Sequence, residues 1–249
     1  FILGPIIVTA CATTIAPAAG IISGIIFLAV GIPLFVMQKD TEPPGNPKRE
    51  VDPHPAVIRN KRVQAVVLPT TLLGGFFGSI AIVTVAFAEA RGQANLSGIL
   101  LAIWAAGSAV AAIMNGVIKW RLTSATRFLI FLFALTILSI PMLFVHSITW
   151  LAVALFFNGF AIAPLVINAY GVAEGAVPPD QITETLTWVV AGMPMGGALA
   201  SALSGQIIDR FGADIAYWVP LGFMIAACVA TLPYFQTYKG LIGYSQPRD

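Results

Sequence analysis

The chain has 249 residues, of which 58% are hydrophobic and only 10% charged, with a mean hydropathy of +0.89. A soluble domain carries about 25% charged residues, so a water-soluble fold of this length is excluded. A net charge of +2 is too small to point to nucleic acid.

The charges are clustered rather than spread. Residues 1–38, 63–88, 92–118, 128–173 and 185–208 contain none. A helix needs roughly 20 apolar residues to cross the hydrocarbon core. The pattern predicts an all-α, integral membrane helical bundle with seven complete spans. Their expected ranges are α1 17–37, α2 64–88, α3 95–118, α4 125–145, α5 149–172, α6 184–208 and α7 214–236. The block 128–173 holds two of them, separated by the polar break at His146-Ser147-Ile148-Thr149-Trp150. A transmembrane β-barrel would alternate apolar and polar residues over segments of about ten residues, and this chain has long unbroken apolar runs instead.

The first residues, Phe1-Ile2-Leu3-Gly4-Pro5-Ile6-Ile7-Val8, open inside an apolar segment. No basic region precedes them, as a secretory signal would require. Residues 1–12 are expected to be the end of a partial span, and the chain to be a piece of a larger protein. Residues 1–37 would then close an N-terminal transmembrane block. Residues 38–63 carry five prolines (Pro43, Pro44, Pro47, Pro53, Pro55) and much of the charge. Proline at that density breaks helix and sheet alike, so this segment reads as a cytoplasmic linker. Residues 64–236 form a six-helix block and 237–249 a cytoplasmic tail.

Lys and Arg are held back on the cytoplasmic side of a membrane and so set topology. Lys39, Lys48, Arg49, Arg59, Lys61, Arg62, Lys119, Arg121, Arg127, Lys239 and Arg248 fall on one side, with only Arg91 and Arg210 opposite. The linker and the C-terminus are therefore expected in the cytoplasm, and the protein in the cell (plasma or inner) membrane.

Six helices divide into two triplets, α2–α4 and α5–α7. Inverted triplets are the building unit of many secondary transporters. Gly116-x-Ile118-x-x-Arg121 at the end of α3 matches Gly205-x-Ile207-x-x-Arg210 at the end of α6, on opposite faces by the charge count. Small residues at four-residue spacing, Gly192, Gly196, Ala200 and Ser204 in α6 and Gly74 and Gly78 in α2, allow helix backbones to approach closely. They read either as static packing or as a surface on which helices slide. Pro194 would permit a kink among them.

Several short motifs, in order, resemble the major facilitator superfamily. Gly4-Pro5 is similar to the end of the glycine-proline motif in the fifth helix of exporters. Ala163-Pro164 through Val177-Pro178-Pro179, then Thr183-Glu184 and Thr187-Trp188, resembles the connection between the tenth and eleventh helices. Gly205-x-x-x-Asp209-Arg210-x-Gly212 resembles the glycine/Asp-Arg turn pattern. The resemblance implies the C-terminal portion of a twelve-helix transporter of bacterial, actinobacterial efflux-like type. The chain would hold the end of the N-terminal six-helix block and the complete C-terminal six-helix block of a major facilitator fold. It departs from the pattern at Trp120, where the family's loop motif often has Asp, so a charge relay in that turn is in doubt.

Polar residues inside spans are expensive and mark function. Trp104, Ser108, Ala111 and Asn115 fall on one face of α3. Asn158 and Asn168 lie about 80° apart around an unbroken α5, and Trp188 follows Glu184 by one turn of α6. Trp104, Ser108, Asn115, Asn158, Asn168 and Trp188 are the candidate substrate-cavity residues, aromatics supplying apolar surface and amides hydrogen bonds; hydrogen bonding between helices alone is the competing reading. Glu89, Glu174 and Glu184 lie near span ends. Glu184 is the candidate coupling residue, although an acid in a first helical turn is also favoured by the helix dipole. Asp209 and Arg210 are expected to lock a turn as an ion pair. Cys11 and Cys228 read as packing residues. His54 and His146 have no metal-ligand spacing, no phosphate loop is present, and neither a metal nor a cofactor is expected.

The function expected is secondary active export of a small amphipathic molecule, not enzyme catalysis. The partners expected are the lipid bilayer, a small-molecule substrate and the missing N-terminal transmembrane half. A seven-helix receptor fits the span count, but a retinal protein lacks its lysine within a span. A membrane transferase lacks a paired acid motif. A non-transporting membrane subunit is the remaining alternative.

Overall fold

The computed structural model describes residues 7, 17–37 and 56–243, and among them every regular element is helical. Gly4, Pro5, Cys11, the partial span and residues 38–55 of the linker lie outside the described residues. Helix α1 is Pro17–Val36, apolar on all sides. Its twenty residues at about 1.5 Å rise give roughly 30 Å, the thickness of the hydrocarbon core.

Among the described residues, six segments are long and apolar enough to cross a membrane: Lys61–Ala90, Ala94–Val117, Ser124–Phe144, Ile148–Gly175, Pro179–Phe211 and Ala213–Tyr238. These are α2 to α7. Their starts follow local chemistry. The Asn60 side chain accepts the N–H of Arg62 at the head of α2, Thr123 that of Thr126 at α4, and Ser147 that of Trp150 at α5. Each supplies an acceptor to an amide that has no partner inside its helix.

Two features were not anticipated. Helix α5 is interrupted, running Ile148–Gly159 and then Ile162–Gly175. Pro164 offers no N–H to the carbonyl four residues back and crowds it, which places the break at Phe160-Ala161. The chain also stays helical past the expected end of α7. After the short turn Leu232–Tyr234, α8 spans Phe235–Gly243. Tyr238 is buried there and its hydroxyl donates to the Ala65 carbonyl, while Tyr234 donates to Gln64 Oε1 at 3.1 Å. The beginning of the expected tail is thus pinned to the start of α2. The linker likewise ends on the bundle: Val57 is buried in the short turn Val57–Arg59.

The packing repeats itself. Helix α2 lies along α6, and the first half of α5 lies along α3; α7 packs on α2, and the second half of α5 packs on α4. Exchanging the triplets α2–α4 and α5–α7 turns the first contact of each pair into the second. Because α2 and α5 enter from opposite ends, the repeat is inverted. The arrangement is that of the inverted triplets within a transporter half.

Glycine makes both close seams. A Cβ on Gly74 would strike the Met193 backbone, one on Gly78 the Gly197 carbonyl, and one on Gly196 the Thr71 carbonyl. In the mirrored seam, a Cβ on Gly107 would strike the Phe156 carbonyl and one on Gly159 the Trp104 carbonyl. Backbones therefore touch, and every attractive contact depends on the missing side chain. Gly192, Gly196, Ala200 and Ser204 are all buried, so this stripe belongs to the inside of the block.

The Gly-x-Ile-x-x-Arg match does not carry the symmetry. Helix α3 ends at Val117, before Arg121, whereas α6 continues to Phe211, past Arg210. A Cβ on Gly116 or on Gly205 would meet open space. The repeat lies in the helix contacts and not in this motif.

Candidate functional site

The α3–α5 seam brings two of the candidate cavity residues together. Trp104 Nε1 donates to Asn158 Oδ1 at 3.0 Å, and Asn158 Nδ2 donates to Ser139 Oγ at 3.1 Å. Ser139 in turn donates to the Leu135 carbonyl at 2.7 Å. Three helices are joined by this chain of donors. Asn158 is fully buried and both ends of its amide are engaged, which removes the desolvation cost of placing it there. Trp104 is only half-buried. Its ring meets Phe77 edge-on at 5.7 Å between centroids and Phe76 at 6.2 Å. The indole is thus held by an amide of α5 and flanked by α2 aromatics. Ser139, Phe76 and Phe77 were not singled out in the sequence.

The other candidates are placed differently. Ser108 is half-buried on the same helix, with its backbone against Gly159. Asn115 is half-buried near the end of α3; its carbonyl accepts the Trp120 indole N–H at 3.2 Å, and its buried Oδ1 has no hydrogen-bond partner among the described residues. Asn168 is buried and donates to the Pro164 carbonyl at 2.7 Å, one turn back in the same half of α5. The 80° relation between Asn158 and Asn168 assumed an unbroken helix, and the interruption between them removes it. Trp188 is exposed on α6 and is not brought to Trp104 by a direct contact.

Glu184 stands exposed in the first turn of α6. Its Oε1 accepts the N–H of Val57 at 3.3 Å, so it holds the end of the linker against the bundle. Gln64 Nε2 donates to the Ile58 carbonyl at 3.0 Å and holds the same segment from α2.

Asp209 and Arg210 are both exposed, and no salt bridge joins them. The ion pair at this end is Arg91–Asp214, at 2.8 Å. Arg91 also donates through Nε to the His146 carbonyl at 3.2 Å and lies over the Phe87 ring, 3.4 Å from its centroid. One guanidinium therefore ties together the α2–α3, α4–α5 and α6–α7 connections. Adjacent residues in a helix point in different directions, so Asp209 and Arg210 could not pair without unwinding the end of α6. Gly212 follows the end of α6 with φ +84° and ψ 167°, a conformation essentially limited to glycine. Gly205 is half-buried and touches nothing that would forbid a Cβ. Opposite the Arg91 end, Arg127 lies over Trp120, 5.6 Å from its centroid. An aromatic–cation contact stands where the family's loop motif often has Asp.

The Major Facilitator Superfamily profile matches residues 67–247, from early α2 to beyond α8. The chain belongs to the Major Facilitator Superfamily, and with its six membrane-length helices it is a multi-pass membrane transporter. Searches among curated proteins and solved structures returned no significant match.

Proposed function

We propose that the protein is a secondary active transporter that exports a small amphipathic molecule by alternating access. In this reading α2–α7 rocks as one block against an N-terminal transmembrane half, around a cavity near the membrane midplane. The observation that carries it is the Trp104 group. A half-exposed indole with aromatic neighbours is an apolar contact surface, and Asn158 orients it from a fully buried position. Ser108 and Asn115 continue that face of α3, and Trp188 with Thr187 offers a matching surface on α6. Asn158 and Asn168 are then positioning residues, because their amides are engaged within the block.

The excess of Lys and Arg at the linker end supports a cytoplasmic linker and C-terminus in the cell membrane. Glu184 is the coupling candidate of this block, its carboxylate accepting the Val57 N–H at the cytoplasmic rim. The test is efflux of a fluorescent amphipathic amine from vesicles containing the protein. Trp104→Ala is expected to abolish most of the flux and Asn158→Ala to reduce it, with normal expression of both. Unchanged flux in Trp104→Ala would overturn the site. Glu184→Gln keeps an acceptor for Val57 but removes the carboxylate charge, so it should slow flux while leaving the fold intact.

A further inference from the structure

A groove of 820 Å³ lies away from Trp104, between α4 and the first half of α5. Its cause is the break in α5. Gly107 and Gly159 draw the first half of α5 against α3, while the second half packs on α4. The two helices therefore part toward the Arg91 end. Trp150, Val153 and Phe157, one face of α5, form one wall, and Leu138 and Phe144 belong to the other. Trp150 is 68% exposed and Phe157 55%. His146 and Ser147 form the rim at the end of the bundle.

We infer that this groove binds one acyl chain of a bilayer phospholipid, with its headgroup at the His146–Ser147 rim. Three features select that occupant. The groove is apolar along its length and polar only at its outer end. It lies between two membrane-length helices whose neighbouring exposed side chains, Ile137, Ile140 and Val153, are apolar. Its length also fits: from Ser147 to Phe157 at about 1.5 Å per residue is roughly 15 Å, half of the roughly 30 Å hydrocarbon core and so the depth of one leaflet. Below the rim the lining side chains offer a polar transport substrate a single donor, the Trp150 indole N–H, and no acceptor, and a water-filled groove would leave three large apolar side chains wet.

Trp150 reports on the occupant directly. The protein is placed in nanodiscs of phosphatidylcholine, or of the same lipid with dibrominated acyl chains. The emission of Trp150 is taken as the difference between wild type and Trp150→Phe. Brominated chains are expected to remove most of that emission, and aqueous acrylamide little of it. Ala154→Phe, which fills the groove from the α5 wall, is expected to restore much of it, and Leu138→Phe to do the same from the α4 wall. Emission untouched by bromine would mean that a protein segment covers the groove. Strong acrylamide quenching would mean that it holds water. Equal bromine quenching in wild type and both filled variants, with unchanged melting, would mean contact with bulk lipid only. Each of these three results overturns the proposal.

Discussion

Adding one methyl group at Gly196 tests the seam on which the block is built. An alanine there places its Cβ against the Thr71 carbonyl, with the Gly75 amide nitrogen 3.0 Å away. Both neighbours are backbone, so no side-chain rotation relieves the overlap and α6 must move away from α2. Overpacking of this kind costs about 1–3 kcal/mol. Alanine is also the better helix former by about 1 kcal/mol, which partly offsets it. The controls are Gly205→Ala and Gly222→Ala, where a Cβ meets nothing within 4 Å and only the propensity gain remains. The two classes should therefore differ by about 1–3 kcal/mol, or several degrees of melting temperature at roughly 2–4 °C per kcal/mol for a chain of this size. Thermal unfolding in detergent, followed by circular dichroism, reads the difference. Gly107→Ala, in the mirrored seam, should fall with Gly196→Ala. If Gly196→Ala melts at or above Gly205→Ala, backbone contact does not hold α2 to α6, and the reading of both seams is wrong.

Asn158→Leu leaves the Trp104 indole N–H without its acceptor inside the block. It should cost about 1–2 kcal/mol, seen as a lower melting temperature and a red-shifted Trp104 emission. Gly212→Ala forces a side chain into a glycine-only backbone conformation at a cost of about 1–3 kcal/mol, whereas Gly116→Ala at an open site should not destabilise. Arg91 and Asp214 form a largely exposed pair, so a double-mutant cycle with Arg91→Gln and Asp214→Asn should give a coupling of only about 0.2–1 kcal/mol. Arg91→Gln alone should cost more than that coupling, because it also loses the Phe87 ring and the His146 carbonyl.

The spans were legible because lipid permits so few structures. A backbone that must satisfy its own hydrogen bonds leaves a long uncharged run little choice but helix. What failed to read through was whatever depends on a partner distant in sequence. The glycines of α6 could be seen to form a stripe, but not to lie against Thr71 and Gly74. Trp104 and Asn158 could each be picked out as polar or aromatic groups in a span; Ser139, 19 residues before Asn158, looked like an ordinary hydroxyl in an apolar helix. Asp209 and Arg210 were paired on paper by adjacency, while the real partner of Asp214 lies 123 residues away. The break in α5 had its signal in Pro164, but no charge or polar run marks it. Hydropathy alone therefore drew one straight helix.

The placement of the glycine stripe bears on how the protein moves. A small-residue surface could be a sliding plane, but this one lies inside the α2–α7 block, with backbone against backbone. Sliding there would lift one helix over the carbonyls of the other, and packed seams of this kind favour discrete arrangements over continuous deformation. On the proposed rocking, the working motion lies outside this seam. A covalent lock separates the two cases. A Cβ at Gly192 would stand 3.5 Å from the Thr71 Cβ, within the span of a disulfide, about 3.5–4.5 Å. The pair Thr71→Cys and Gly192→Cys, in a chain with Cys11 and Cys228 replaced by alanine, should oxidise readily and bolt α2 to α6. If the block moves as one body, efflux from vesicles should be the same in the oxidised and reduced protein. Efflux that stops on oxidation and returns on reduction would place the working motion in the seam itself, and the rocking of an intact α2–α7 block would have to be given up.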